Sequence, residues 1–401
     1  MRRPARFVPT AALIALLLLV AGCTSTAPTS PVAPSTGSDP SASSYPDSTA
    51  TAIRDAATTV MEANGIPGAI VLLQTPGGRF EEPLGVSDKS TGAPLTVDDH
   101  LRIGSITKTM TVTLVLQLVD DKLVDLDAPI RTYLPELPDA WKDVTVRQLA
   151  EMRSGIPSYT GTPTFDQQFL ADSQRQFTPR ELIAMVEPLD LLFSPGTDFD
   201  YSNSNTVILG QLVERVSGTP YASAMQHLFD AAGLAQTTYA EAATAFTAPR
   251  AQGYTTLTAD GKEADATEWN ASWAQAAGAA ASTVGDLETW LNDLTTGSLL
   301  RAETQKERLS MVAIPGNPAG TGYGLGLVAT NGWTGHSGDL PGYSSTMYAR
   351  DDGSVLIVLT TTNVLVNRAD GTPIPPSAAI AEAVSAIAVP GAPFVFPRVG
   401  A

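Results

Sequence analysis

Cysteines, cations and histidines are scarce in this sequence, and the scarcity of the first two excludes some kinds of protein. Cys23 is the single cysteine among 401 residues, so no disulfide can form within the chain. There are 24 Lys and Arg residues against 41 Asp and Glu, which gives a net charge of −17 and a pI near 4.5. Nucleic acid or an anionic membrane surface would repel such a chain. Neither is expected as its main partner.

Long apolar runs are scarce as well. The apolar run at residues 11–22 is too short, and wrongly flanked, for a membrane span. The composition, 43% hydrophobic, 16% charged and 6% aromatic, is typical of a soluble globular protein. A chain of this length can bury a substantial core and has room for more than one domain.

The first residues have the pattern of a secretory signal. Arg2, Arg3 and Arg6 precede the apolar run, which ends in Val-Ala-Gly-Cys at Cys23 and resembles a bacterial lipobox. We expect residues 1–22 to be a signal peptide and Cys23 to carry lipid, which places the protein on the outer face of the bacterial plasma membrane. A lipid thioether would also explain a lone cysteine in an exported protein. The alternative is an ordinary signal peptide with an incidental cysteine.

A low-complexity segment follows the signal. Residues 24–48 are almost all Ser, Thr, Pro, Ala and Gly, which cannot bury enough apolar surface to offset the entropy of ordering. We predict a disordered tether at residues 23–48 and one folded domain at residues 49–401, beginning near Thr49.

The order of predicted elements indicates an α/β fold of the α+β type. Apolar periodicity predicts a helix that Gly65 ends, followed by strands at residues 70–73 and 79–86. Further helices are predicted at residues 206–216, 284–294 and 376–388, and after Thr178-Pro179 and Thr219-Pro220; strands are predicted at 344–349 and 354–361. Strands from both chain ends should form one antiparallel sheet flanked by helices. Residues 120–280, approximately, should form an all-helical lobe, with a site in the cleft between the lobe and the sheet.

Ser105 and Lys108 form the first candidate catalytic pair. They lie at the start of an apolar segment, residues 110–119, that we predict to be a buried helix. The hydroxyl would lie near the positive end of the helix dipole, and Lys108 would project from the same face. If burial lowers its pKa, a neutral lysine can take the serine proton. By itself Ser-x-x-Lys is weak, because it occurs by chance about once in a chain this long. The alternative is a solvated lysine on a helix.

Tyr201-Ser202-Asn203 is the second candidate motif. A tyrosine can relay or donate a proton, and an asparagine amide can hold a substrate carbonyl. In isolation, a loop tyrosine and a turn asparagine explain the same residues.

The third candidate motif is His336-Ser337-Gly338, just before the predicted strand at residues 344–349. Glycine lets a substrate lie close to a strand edge, and histidine supplies a polar group facing the serine. The other two histidines, His100 and His227, are interpreted as structural.

Together the three motifs resemble those of the serine β-lactamase and penicillin-binding-protein superfamily. The likeness is greatest to class C β-lactamases, D-Ala-D-Ala carboxypeptidases and related esterases. It extends to residues 101–108, 145–157 and 193–209, and covers roughly residues 49 to 388. The chain lacks Gly-x-Ser-x-Gly, so the nucleophile elbow of α/β-hydrolases is not supported.

The resemblance implies a role for each side chain. Ser105 would attack a carbonyl and become acylated, and Lys108 would take its proton. Tyr201 would help to protonate the leaving group, Asn203 would bind the substrate, and His336 would occupy the place where many relatives have lysine.

The resemblance also implies a binding edge and an oxyanion hole. Ser337 and Gly338 would lie along the substrate, and the backbone N–H groups of Ser105 and Asp339 would hold the oxyanion. Removing such a donor typically costs about 3 kcal/mol. No metal or cofactor is implied.

Asp339 departs from the pattern of relatives that bind a substrate carboxylate. Those usually have a hydroxyl residue directly after the third motif, often with a cation in the site, whereas residues 318–334 contain no Arg or Lys. An acid there would repel a substrate carboxylate by roughly 1 kcal/mol in wet surroundings. We therefore expect an esterase or amidase acting on a small-molecule or peptide substrate. A carboxypeptidase or β-lactamase acting on peptidoglycan peptides or β-lactams is the alternative. A second alternative is a ligand-binding protein that has lost catalytic activity. The oligomeric state stays open.

Overall fold

The computed structural model describes residues 44–239 and 248–398. Within them the α-helices, named in chain order, are α1 Asp47–Asn64, α2 Thr107–Asp120, α3 Val146–Ala150, α4 Pro163–Ala171, α5 Pro179–Ala184, α6 Asn203–Ser217, α7 Tyr221–Ala232, α8 Val284–Thr296, α9 Ala302–Arg308 and α10 Pro376–Ala388. Short 3₁₀ helices include Gly104–Ile106, which leads directly into α2, and Gln275–Ala277.

The strands of the same residues form one large sheet and three small ones. In chain order they are β1 Gly68–Thr75, β2 Gly78–Asp88, β3 Ala93–Pro94, β4 Leu101–Arg102, β5 Thr238–Tyr239, β6 Tyr254–Thr255, β7 Ala264–Asp265, β8 Ala280–Ser282, β9 Val312–Ala313, β10 Gly322–Tyr323, β11 Val328–Thr330, β12 Trp333–Leu340, β13 Tyr343–Ala349, β14 Val355–Thr360, β15 Val366–Asn367 and β16 Pro373–Ile374. The large sheet is antiparallel, in the order β3-β2-β1-β14-β13-β12-β11-β10-β9. As predicted, strands from both chain ends share it.

The two faces of the large sheet pack into two different cores. Along β1, Ile70 and Leu72 point into the larger core, which contains the helical part of the chain. Val71 and Leu73 point into the second core, which includes residues of α1 and α10. This alternation follows from the two-residue period of a strand, and burial on both faces explains why β1 is a nearly continuous apolar run.

Helix α2 runs through the larger core. Eleven of its fourteen residues are buried, so it has no solvent-facing stripe. Helices α6 and α7 pack against it. The segment expected as a helical lobe, residues 120–280, contains α3–α7, and it also includes the short strands β5–β7.

The described fold already includes residues that the sequence analysis assigned to the tether. Tyr45 is already buried, its hydroxyl lies 2.6 Å from Thr75 Oγ1, and α1 begins at Asp47 rather than near Thr49. The signal peptide at residues 1–22, Cys23 and the tether as far as residue 43 lie outside the described residues. No helix in residues 44–239 and 248–398 is long and apolar enough to cross a membrane.

Two helix starts with the same sequence pattern differ in the structure. The capping box at Thr178 is confirmed, since its hydroxyl accepts from Glu181 N while the Glu181 carboxylate accepts from Thr178 N. The helix expected after Thr219-Pro220 is also present, but no side chain of this pair caps it. Helix α7 begins one residue later, at Tyr221, whose N–H is bound instead by the carboxylate of Glu214 from α6.

Candidate active site

Ser105 lies in the 3₁₀ helix Gly104–Ile106, immediately before α2, and is half-buried. Lys108 lies in the first turn of α2 and is completely buried. Its Nζ is 2.9 Å from Ser105 Oγ. The predicted pairing is therefore present, and the alternative of a solvated lysine is excluded.

The other contacts of Lys108 fit a neutral amine. Its Nζ is 2.7 Å from Asn203 Oδ1 and 2.8 Å from the backbone oxygen of Ala277, both of which can only accept hydrogen bonds. Burial lowers the pKa of this amine well below its usual value, because the charged form loses its hydration. A neutral amine has two N–H donors for these oxygens and one lone pair. The lone pair then accepts the Ser105 proton.

Tyr201 and Asn203 meet this pair from the start of α6. The Tyr201 hydroxyl bonds Ser105, and its ring centroid is 5.0 Å from Lys108 Nζ. Burial raises the pKa of Tyr201, so the hydroxyl keeps its proton near neutral pH. The Asn203 amide accepts from Lys108 through its oxygen and donates to Thr160 Oγ1 at 3.1 Å. Asn203 therefore first positions the lysine, and its second N–H is the part that could contact a substrate.

Two glycines let the nucleophile and strand β12 approach each other. A Cβ added at Gly338 would lie 2.5 Å from Ser105 N, and one added at Gly104, whose φ is +51°, would lie 2.6 Å from Asp339 N. Neither position can hold a side chain without moving the backbone. The approach brings the segments that carry Ser105 N and Asp339 N together, and the oxyanion hole expected of these two groups stays a prediction. The buried Ser345 hydroxyl joins the same segments, 2.8 Å from Ile103 O and 3.1 Å from Gly338 O.

His336 differs from its expected role. It is 2% exposed, and its Nδ1 lies 2.5 Å from the carbonyl oxygen of Ser337, so Nδ1 carries the proton. Nε2 then accepts from the Tyr323 hydroxyl at 3.0 Å. Burial is the largest cause that lowers the pKa of His336, to about 3, so the ring is neutral. Both ring nitrogens are engaged, and neither is free to face a substrate.

Tyr323, which the sequence analysis missed, supports this part of the site. It is fully buried between the side chains of Tyr201 and His336, with ring centroids 6.1 and 5.9 Å away. Its position between Gly322 and Gly324 was the available signal, because both glycines sit tightly against backbone carbonyls.

The remaining candidate residues occupy three different environments. Ser337 is buried in β12. Asp339 as a whole keeps contact with solvent, yet burial of its carboxyl raises the pKa of that group to about 7, with a hydrogen bond from Ser344 acting in the opposite direction. His100 is buried with Nδ1 2.7 Å from Pro249 O, as a structural histidine would be, and His227 lies on the exposed side of α7. In residues 44–239 and 248–398, no group of three His, Cys, Asp or Glu side chains could hold a metal ion.

This fold is that of a known family. The family model described as Beta-lactamase matches residues 53–378, most of the chain. The chain therefore belongs to the beta-lactamase family, a family of serine hydrolases.

Proteins with several different named activities are similar to this chain. Esterase EstB from Burkholderia gladioli is 30% identical over 172 residues, which cover 40% of this chain and 44% of the esterase. A D-stereospecific amidohydrolase from Streptomyces sp. has a TM-score of 0.71 and 33% identity, covering 79% of this chain and 95% of its own. A D-amino acid amidase from Ochrobactrum anthropi SV3 has a TM-score of 0.67 and 27% identity, covering 77% and 92%. The chain spans less than half the length of the curated relatives it matches.

Proposed function

We propose that this protein is a serine hydrolase that cleaves an ester or amide through an acyl-enzyme on Ser105. The observation that carries the proposal is the fully buried Lys108 amine, 2.9 Å from Ser105 Oγ and held by two carbonyl oxygens. A cation exposed to water would not remove a serine proton near neutral pH, whereas a desolvated neutral amine can.

Each step has a residue to perform it. The Ser105 proton passes to Lys108 Nζ as Oγ bonds the substrate carbonyl carbon, and the N–H groups of Ser105 and Asp339 hold the negative oxygen. The carbonyl re-forms and the bond to the leaving group breaks. The proton passes from Lys108 through the Tyr201 hydroxyl to that group. Water then attacks the acyl-enzyme, giving the carboxylic acid and free Ser105.

The charge of the site favours neutral esters and amides over substrates with a carboxylate near the scissile bond. Asp339 lies beside the oxyanion position, and its ionised form would repel such a carboxylate. The named activities of the esterase and the two amidohydrolases above are consistent with this preference.

A D-Ala-D-Ala carboxypeptidase or β-lactamase is the second candidate. A pKa of about 7 leaves Asp339 partly uncharged at neutral pH, which weakens the repulsion that argued against it. A ligand-binding protein without catalysis is disfavoured, since Ser105, Lys108 and Tyr201 are assembled in a reactive arrangement.

We further propose that the protein acts on the outer face of the bacterial plasma membrane, anchored by lipid on Cys23. The support is the Val-Ala-Gly-Cys sequence after a short apolar run.

Covalent labelling of the purified domain tests the proposed chemistry. A serine-reactive phosphonate should add one adduct, on the peptide that contains Ser105, and Ser105→Ala should abolish it. Intact-mass measurement after a neutral ester, a D-amino acid amide, a β-lactam and a D-Ala-D-Ala peptide then identifies which acyl groups Ser105 accepts. Labelling that survives in Ser105→Ala would overturn the assignment of the nucleophile. A folded wild-type protein that no reagent acylates would be a binding protein.

A further inference from the structure

A cavity of about 860 Å³ lies beside Tyr201, and we call it the tyrosine-side cavity. Its lining includes Asp198, Phe199, Asp200 and Tyr201 on one side and the tail residue Phe396 on another. If Tyr201 delivers the proton to the leaving group, the leaving group must depart toward Tyr201. The cavity that Tyr201 lines is then the space that would receive it.

The walls of the tyrosine-side cavity combine apolar surface with an acid that has no counter-charge. Phe199 is anchored by its ring against Tyr323, with centroids 5.7 Å apart, which holds the following residue in place. Asp200 is half-buried, and its carboxylate has no ion pair or hydrogen bond within residues 44–239 and 248–398. Burial and then the neighbouring charge of Asp198 raise the pKa of Asp200, as expected for an acid that lacks a cationic partner.

One of the two cations that line the cavity, Arg368, is already paired with an acid. Arg368 forms a two-pronged ion pair with Glu382 and also donates to the carbonyl oxygen of Phe396 at 3.0 Å. Arg398 lies at the exposed rim. Hydrogen bonds from Thr372 are the main cause that lowers the pKa of Asp370, and the charges of Arg368 and Arg398 lower it further. With Arg368 neutralised by Glu382, the two acids Asp198 and Asp200 outnumber the remaining cation, Arg398, so the net charge of the lining is negative.

We propose that the tyrosine-side cavity binds the leaving group of the substrate, and that Asp200 selects leaving groups that carry an ammonium group on a short apolar chain. This inference rests on the proposed acyl-enzyme chemistry at Ser105 and adds a substrate class to it. The apolar chain would contact the aromatic walls, and the ammonium group would supply the counter-charge that Asp200 lacks.

Two esters of nearly identical shape isolate the charge. Acetylcholine and 3,3-dimethylbutyl acetate differ in having a quaternary nitrogen or a quaternary carbon. We expect kcat/KM to be about tenfold higher for acetylcholine, equivalent to about 1.4 kcal/mol. In Asp200→Asn this ratio should fall to within about twofold, because the variant removes the charge that distinguishes the two esters.

Two further variants serve as controls. Asp198→Asn removes the neighbouring, exposed acid and should keep most of the preference. Asp121→Asn removes an exposed acid at the far end of α2 and should keep all of it. Equal kcat/KM for both esters in wild type, or a preference that survives in Asp200→Asn, would overturn the inference. So would a preference that is lost in Asp198→Asn instead.

Failure of the underlying chemistry would look different. Both esters deliver the same acetyl group, so the acetyl-enzyme must break down at one common rate in burst experiments. Different breakdown rates, or no acetylation of Ser105 by either ester, would contradict the acyl-enzyme proposal itself. A common breakdown rate without charge preference would contradict the role of Asp200 alone.

Discussion

Lys108 lies wholly inside the protein, where its amine contacts two carbonyl oxygens and a hydroxyl. In the unfolded chain the same amine is charged up to about pH 10.4. The unfolded state therefore binds one more proton than the folded state between the lowered pKa of Lys108 and about pH 10. The property that makes the lysine a base thus makes the folded protein less stable as the pH falls.

This difference in proton binding can be measured with Lys108→Met. Above the lowered pKa of Lys108 and below about pH 10, the free energy of unfolding of wild type relative to Lys108→Met should rise with pH by up to about 1.4 kcal/mol per pH unit, as determined by urea denaturation. Hydrolysis and labelling of Ser105 should be lost. Lys142→Met, which removes an exposed lysine, should show no such slope. A flat difference for Lys108→Met would mean that the buried amine is charged.

Asp339 should make substrate selection depend on pH. Its carboxyl has a pKa raised to about 7, so it is mostly neutral about one pH unit below that value and mostly ionised about one unit above it. The ratio of kcat/KM for a neutral ester to that for a matched ester bearing a carboxylate should therefore increase from about pH 6 to pH 8. In Asp339→Ser the ratio should no longer depend on pH in this way. At about pH 8 it should be up to about tenfold lower than in wild type, which corresponds to about 1.4 kcal/mol. The variant keeps the backbone N–H of residue 339.

The salt dependence and a control complete this test. Added salt should reduce the wild-type ratio at about pH 8, because the repulsion acts partly through solvent. Asp121→Ser should behave as wild type. A wild-type preference for the carboxylate substrate at that pH would favour the carboxypeptidase or β-lactamase interpretation.

At the scale of secondary-structure elements, the contact between the 3₁₀ helix Gly104–Ile106 and strand β12 should decide activity. In Gly338→Ala the added Cβ would meet Ile103 O at 2.1 Å and Ser105 N at 2.5 Å, so the two segments must separate. Displacing an oxyanion donor typically lowers kcat by about 10²–10³. We expect a loss of that order in ester hydrolysis, measured on protein whose circular dichroism shows that it is folded.

A second glycine variant provides the comparison. An added Cβ at Gly285, near the start of α8, meets no atom within 4 Å. Gly285→Ala should therefore keep full activity. If Gly338→Ala were equally active, the close approach would not be needed to form the oxyanion hole.

The sequence predicted correctly those helices whose ends are determined by residues within or next to the helix. The capping box at Thr178 fixes the start of α5 through its own side chains, and the predicted helix at residues 376–388 has the bounds of α10. The start of α7 has a cause that is not local, because the carboxylate of Glu214, from the preceding helix, accepts a hydrogen bond from the Tyr221 N–H.

The contacts of the candidate site likewise fall into those that the local sequence predicts and those that depend on the fold. Ser105 and Lys108 were predictable because three residues of helix separate them. The Ala277 carbonyl was not, since every residue has one and only the fold brings this one to Lys108. The engagement of His336 with Tyr323 likewise depends on how β10, β11 and β12 align in the sheet, which no local motif specifies.

For the whole protein, the proposed anchor predicts where the enzyme is found. Cys23→Ala should leave the protein without lipid, and either soluble or uncleaved, when membrane fractions are examined by mass spectrometry and immunoblotting. A single lipid chain gives only marginal binding, so stable anchoring requires the two or three chains of a bacterial lipoprotein. Thr24→Ala changes the neighbouring residue, keeps the thiol and should remain anchored. Native protein without lipid on Cys23 would contradict the proposal.

The position of β1 in the large sheet has a consequence for how the chain can fold. Strand β1 lies between β2 and β14, and Ala69 pairs with Thr360. The large sheet therefore cannot be completed until β14 has been synthesised. Contacts so distant in sequence slow folding, because a long loop must close before they form. During synthesis, the hairpin β1–β2 would have no partner strand along the edge of β1 until β14 is available. For a chain exported as we propose, this delay keeps it unfolded, and so able to thread through a translocation channel, until its last strands are synthesised.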